Sequence, residues 1–216
     1  MMKIKESKII SWKDQKIAVL QIFFLFVLPM IVLLSFSTLP HWVHLWILLV
    51  VTLSSIGISY SEKIPLRDLW IRLDTLKQSI LPYFIFWIFW VMFTLLLAKI
   101  LGNNIVDISW KIHYQFGFVI TSFVQEFLYR SLLMFKLQTL TKSPAVVIVS
   151  NALLFWCMHI IFPHALIIFF LTTLIWLWFA TLYYFRPNLI AISLSHSTVN
   201  YFAVMHCFAS FNVVCL

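Results

Sequence analysis

From Ile17 to about Thr38 the sequence runs without a charged residue, and six further apolar stretches follow before the chain ends. A helix needs about 20 mainly apolar residues to cross a bilayer core roughly 30 Å thick, so this pattern reads as a series of membrane spans. Composition agrees, because 63% of the 216 residues are hydrophobic and 10% are charged, against about 45–50% apolar in a soluble domain. One core cannot hide such a surplus. Lipid is the solvent, and no length remains for a soluble domain. The expected fold class is all-α, a polytopic membrane helix bundle of about seven transmembrane helices plus a short interfacial helix.

Span one begins after a Lys-rich segment and is too long for a signal-peptide core of about 7–15 residues; no convincing small-residue cleavage site follows it. Span two covers about His41 to Tyr60. The connection from Ser61 to Ser79 sets Lys63, Arg67, Arg72 and Lys77 among Leu66, Leu69, Trp70, Ile71, Leu73 and Leu76, the pattern of a helix lying in the interface. Span three covers about Ile80 to Leu101, with Pro82 near its start. Span four covers about Tyr114 to Leu137, span five Pro144 to Phe162, span six His164 to Phe185 and span seven about Asn188 to Phe208. The organisation is an N-terminal membrane region over 1–113, a core of four spans over 114–208 and a short tail over 209–216. Cys157, Cys207 and Cys215 form neither a CxxC pair nor a zinc-finger spacing.

Orientation follows from where the positive charges fall. With the N-terminus inside, the cytoplasmic segments hold Lys3, Lys5, Lys8, Lys13, Lys16, Lys63, Arg67, Arg72, Lys77, Lys136, Lys142 and Arg186, twelve of the 15 Lys and Arg. The outer segments hold Lys99 and Lys111, and Arg130 lies within span four. The expectation is a multi-pass cell-membrane protein with a cytoplasmic N-terminus and an outer C-terminus. The net charge of +8 is thereby read as membrane topology, with the lipid bilayer and not nucleic acid as the partner.

Six of the seven acidic residues, Glu6, Asp14, Glu62, Asp68, Asp74 and Asp107, sit in connections, and only Glu126 is intramembrane. A carboxylate at mid-bilayer costs on the order of 2.5–3.5 kcal/mol on insertion scales and usually marks a site or an internal pair. Arg130, at i+4, offers a structural salt bridge on the same helical face. Span five carries His159, and span seven carries His196 and Asn200 one turn apart on a shared face. Each of these is also readable as a helix-to-helix hydrogen bond. At about 1.5 Å per residue, Glu126, His159, His196 and Asn200 all fall roughly 12–22 Å from the cytoplasmic helix ends. One layer of carboxylate, imidazole and amide groups supplies a base for water and donors for an oxyanion.

These residues resemble the CPBP family of CAAX-protease and bacteriocin-processing (Abi) intramembrane proteases. Its three signatures, E-E-x-x-x-R, F-x-x-x-H and H-x-x-x-N/D, correspond here to Gln125-Glu126 with Arg130, Phe155 with His159, and His196 with Asn200. Ser143-Pro144-Ala145 and Pro187-Asn188-Leu189 open the helices of the second and third signatures. The resemblance covers about Gln115 to His206, with little contribution from the first three spans. It implies a CPBP-type endopeptidase that hydrolyses a peptide bond of a membrane-associated or small peptide substrate, in peptide maturation, bacteriocin processing or self-immunity. The likeness gives water activation to the family's first Glu with His159, and stabilisation of the tetrahedral intermediate to His196 and Asn200; here the adjacent Glu126 is the expected base, with Gln125, Arg130 and Phe155 supporting.

The resemblance fits metal-free catalysis, so no cofactor is expected; the alternative is Zn²⁺ held by Glu126, His159 and His196. The position of the family's first Glu is Gln125, whose amide is not a base. Glu126 lies about 100° further round the helix. The competing expectation is therefore an impaired homologue that binds peptides or partners as an immunity or scaffold protein. A small transporter would call for a repeat or Gly/Pro-broken helices in both halves, and the three glycines Gly57, Gly102 and Gly117 show no such symmetry.

Overall fold

The computed structural model describes residues 12–35, 41–69, 71, 73–102, 112–157 and 165–206. These are helical apart from short turns, with no strand among them. In order they form α1 (Trp12–Ile22), a π-helical turn (Phe23–Val27), α2 (Leu28–Ser35), α3 (His41–Ser61) and α4 (Leu76–Leu101). Then come α5 (Ile112–Glu126), a π-helical segment (Phe127–Leu133), α6 (Met134–Leu140), α7 (Pro144–Cys157), α8 (Ala165–Phe185) and α9 (Leu189–Met205). The all-α bundle expected from the sequence is the fold found. Four helical stretches, Trp12–Ser35, Val43–Ser61, Leu76–Ile100 and Phe116–Leu140, are long and apolar enough to cross a membrane; Pro144–Cys157, Thr172–Phe185 and Leu189–Met205 are shorter apolar helices.

The helices are apolar on their outer faces as well as inside. On α4, Leu81, Phe84, Ile85, Ile88, Phe89, Met92, Leu96 and Ile100 are exposed, and α3 exposes Leu45, Trp46, Leu49, Val50 and Leu53. A helix with no polar face is stable only in lipid or in a larger core, so the protein is a membrane protein. Several hydroxyl groups within the helices are satisfied locally: Thr52 donates to the Leu48 carbonyl, Thr94 to Trp90 and Ser193 to Leu189, each one turn back. This internal bonding is what a solvent without hydrogen-bonding groups demands.

Two elements differ from their expected form. The interfacial helix over 61–79 is seen as turns, with helix resuming only at Leu76. Lys63 takes the left-handed conformation (φ 54°); its N–H bonds the Tyr60 carbonyl at 3.0 Å, and Ile64 N–H bonds Ser59 at 2.9 Å. This pair of bonds is a Schellman stop, and Pro65, which has no N–H to continue the helix, follows at once. Helix α4 also starts earlier than Ile80, so Pro82 lies inside it. In span four the regular helix gives way to π structure directly after Glu126, over Phe127–Leu133. Glu126 closes α5 and Arg130 lies inside this π segment, where backbone bonding runs i to i+5.

The chain divides into two compact units, Met1–Trp70 with Phe127–Phe185, and Ile71–Glu126 with Arg186–Leu216. In the first, α7 packs on α8 and α1 on α6, around Leu132, Leu133, Phe155, Phe179 and Ala180, all fully buried. In the second, α9 packs against both α4 and α5. That double contact buries Leu189, Ile192, His196 and Val199. The start of α9 is fixed by Asn188, whose Oδ1 accepts from Ala191 N–H at 2.9 Å while its Nδ2 donates to Thr75 Oγ1 at 3.0 Å.

Candidate active site

Within the second unit, α5 and α9 bring together three of the residues expected to carry chemistry. Glu126 and His196 are both completely buried, and His196 Nδ1 lies 2.8 Å from Glu126 Oε1. One turn away, Asn200 Nδ2 donates to Ser122 Oγ at 3.4 Å. Pairing 126 with 196 and 122 with 200 makes a two-rung ladder between antiparallel helices. It arises from the four-residue spacing on each helix, which sets Ser122 one turn from Glu126 and Asn200 one turn from His196, on the same side of the first rung. Ser122 was not singled out by the sequence, because a serine in a span is ordinarily absorbed by its own helix; its position at Glu126 minus four was the available signal.

At 2.8 Å the carboxylate and the imidazole are a close buried pair, an ion pair when the imidazole carries a proton on both nitrogens. The contact sets the imidazole against the carboxylate. Asn200, half-buried, holds a second amide hydrogen beyond the one given to Ser122. A cavity of about 250 Å³ is lined by Phe118 and Val119 of α5 and by Ser197, Thr198 and Tyr201 of α9. Its walls flank the Ser122–Asn200 rung, Phe118 lying one turn before Ser122 and Tyr201 directly after Asn200. Gln125, next to the fully buried Glu126, is half-buried.

The remaining expected residues lie in the first unit or outside the described chain. His159 lies outside the described residues. Arg130 is fully buried; its Nη1 donates to Asn151 Oδ1 and its Nη2 to the Trp176 carbonyl at 3.3 Å. The guanidinium also faces the rings of Phe155 at 5.1 Å and Trp176 at 5.8 Å, a cation–π setting that stabilises a desolvated charge. Phe155 is sandwiched between Tyr129, with centroids 4.3 Å apart, and Trp176, at 4.2 Å. Asn151 completes the cluster by donating to the Tyr129 carbonyl at 2.5 Å, inside the π segment where backbone bonding is displaced. Ser131 Oγ donates to the Leu69 carbonyl at 2.8 Å and lies 2.9 Å from the Tyr183 hydroxyl. Asn151, Trp176 and Tyr183 were not anticipated as partners of Arg130 and Ser131.

Among the described residues, no group of three His, Cys, Asp or Glu side chains is placed to hold a metal ion. Of the three ligands considered for Zn²⁺, Glu126 and His196 lie 2.8 Å from each other, Oε1 to Nδ1.

A family model described as type II CAAX prenyl endopeptidase Rce1-like matches residues 84–202, more than half of the chain. The match begins inside α4, the helix against which α9 packs, and so reaches further back than the stretch from Gln115. No curated protein and no solved structure matches the chain.

Proposed function

The chain belongs to the type II CAAX prenyl endopeptidase Rce1-like family, and we propose that it is an intramembrane endopeptidase whose reacting groups are Glu126, His196, Asn200 and His159. The single observation that carries this reading is the buried contact of 2.8 Å between Glu126 and His196, set one helical turn from Asn200. A carboxylate and an imidazole are costly to bury, and a membrane span keeps such a pair where it serves chemistry or specificity.

In this reading Glu126 takes a proton from water as the water oxygen adds to the scissile carbonyl carbon, with His159 orienting the water. The carbonyl oxygen becomes an oxyanion that accepts hydrogen bonds from the side chains of His196 and Asn200. The tetrahedral intermediate then collapses, the C–N bond breaks, and the proton held by Glu126 passes to the leaving amine. Oxyanion donors of this kind are worth about 10²–10³ in rate, and a general base about 10²–10⁴. The cavity beside Asn200 is wide enough for a substrate side chain, and its apolar and hydroxyl lining suits a small or lipid-associated peptide.

The rest of the assignment is part of the same proposal. The stretch 114–208 is the catalytic core, and the N-terminus is cytoplasmic with the C-terminus outside. The substrate is a peptide or lipid-associated protein, cut in peptide maturation, bacteriocin processing or self-immunity. Catalysis is metal-free; the Zn²⁺ alternative uses Glu126, His159 and His196. The competing reading, an impaired homologue that binds peptides or partners, rests on Gln125.

Quenched-fluorescence peptides presented to the purified protein in proteoliposomes test the proposal. The wild type is expected to cleave, Glu126→Gln to abolish cleavage with the protein still folded, and Gln125→Glu to add little, because Glu126 already supplies the base. A wild type without turnover that gains it as Gln125→Glu supports the impaired homologue. Cleavage that survives Glu126→Gln overturns Glu126 as the base.

A further inference from the structure

Asn200 sits at the more open rung of the ladder, and what fixes its amide is Ser122. The Asn200 Nδ2 to Ser122 Oγ distance is 3.4 Å, and Ser122 is completely buried while Asn200 is half-buried. An amide on two rotatable bonds is a poor oxyanion donor unless it is held, since catalytic donors work by being aligned before charge develops. We propose that Ser122 is a positioning residue of the active site: its hydroxyl oxygen accepts one amide hydrogen of Asn200 and leaves the other aimed at the reacting carbonyl. The inference rests on Asn200 serving as an oxyanion donor.

The ladder gives this arrangement its precision. Ser122 and Glu126 share one face of α5, as His196 and Asn200 share one face of α9. The Glu126–His196 contact locks the axial register of the two helices, and the Ser122–Asn200 contact is the next rung in that register. The base and the oxyanion donor are thus set by the same pair of helices. Phe118, which lines the adjoining cavity, lies one turn before Ser122 on α5. Ser122 touches no reacting atom, so its effect passes through Asn200.

The test is a kinetic cycle on the full-length protein in proteoliposomes. Ser122→Ala is expected to lower kcat about tenfold with KM nearly unchanged, less than the 10²–10³ expected on losing the donor itself. In an Asn200→Ala background the same substitution should cost less than twofold, because nothing remains to be positioned. Ser122→Cys, which keeps the side chain's shape with a weaker acceptor, should track Ser122→Ala, and Ser122→Thr should recover most of kcat. Equal losses in the presence and absence of Asn200, or a change confined to KM, overturn the inference. Should Ser122→Ala misfold, Ser122→Cys decides: a well-folded cysteine variant with wild-type kcat sinks the proposal, and one with lowered kcat sustains it. A wild type with no turnover overturns the functional reading and this inference with it, whereas an active wild type matched by Ser122→Ala and Ser122→Cys overturns this inference alone.

Discussion

Arg130 and Asn151 are bound to each other across two helices of one unit, Nη1 of the guanidinium donating to Oδ1 of the amide. The same amide donates through Nδ2 to the Tyr129 carbonyl, so one side chain serves both a buried charge and a displaced backbone group. Asn151→Leu removes both services. The expected cost is about 2–4 kcal/mol, because a hydrogen bond to a charged group is lost and buried polar atoms are stranded. Asn151→Asp, which keeps the acceptor, should cost less. Thermal unfolding in detergent, followed by size-exclusion chromatography, checks the order wild type, Asn151→Asp, Asn151→Leu.

His196 and Asn200 should separate stability from turnover. Asn200 is half-buried, so Asn200→Ala should unfold near the wild-type temperature while losing about 10²–10³ in kcat. His196→Ala leaves the Glu126 carboxylate buried without its imidazole, and should lose about 3–5 kcal/mol of stability as well as turnover. Adding Glu126→Gln to His196→Ala should restore part of that stability but no activity. Melting temperatures of the four proteins, set beside their cleavage rates, test the scheme.

Metal dependence is open to a direct measurement. Turnover is expected to survive exhaustive dialysis against a zinc chelator, since water activation is assigned to Glu126 with no ion required. Activity that disappears on chelation and returns with added Zn²⁺ would sink the metal-free mechanism.

The charge distribution predicts topology. A cysteine engineered at Lys63, in the connection rich in Lys and Arg, should be shielded from an impermeant thiol reagent in intact cells, and Cys215 should be labelled. The opposite labelling pattern inverts the orientation.

Lys63 closes α3 in a left-handed conformation, with φ 54°, which costs an L-residue roughly 1–2 kcal/mol and glycine little. Lys63→Gly should therefore stabilise by up to about 1 kcal/mol after the added backbone entropy of the unfolded chain is counted. For a protein of this size that is about 2–4 °C in melting temperature. A lower melting temperature would mean that the Lys63 side chain contributes more than its backbone strain removes.

The spans were legible because a period of apolar residues as long as a bilayer is thick has no other stable use. Glu126, His196 and Asn200 were legible for the converse reason, as polar groups where lipid penalises them. The π segment after Glu126 was not. A π turn differs from an α turn by one residue of bonding register, and the partner that sustains it here, Asn151, lies on another helix. Local sequence carries no sign of such a long-range donor. The turns over 62–75 were missed because amphiphilic composition was weighed above Pro65, which together with the backbone of Lys63 ends the helix. Ser122 escaped because its function depends on which helix faces it.

The rungs of the ladder join residues far apart in the chain, Ser122 and Asn200 being separated by 78 positions. During synthesis Glu126 enters the membrane well before His196 has been made, and everything from the π segment to α8 is produced in between. The site is consequently among the last features the nascent chain completes, as expected for contacts of large sequence separation. A product terminated before α9 holds the Glu126 carboxylate without its imidazole and lacks both of the donors proposed for the oxyanion. On the proposed mechanism, prematurely ended chains are inert toward the peptides around them, and turnover begins only once α9 has docked.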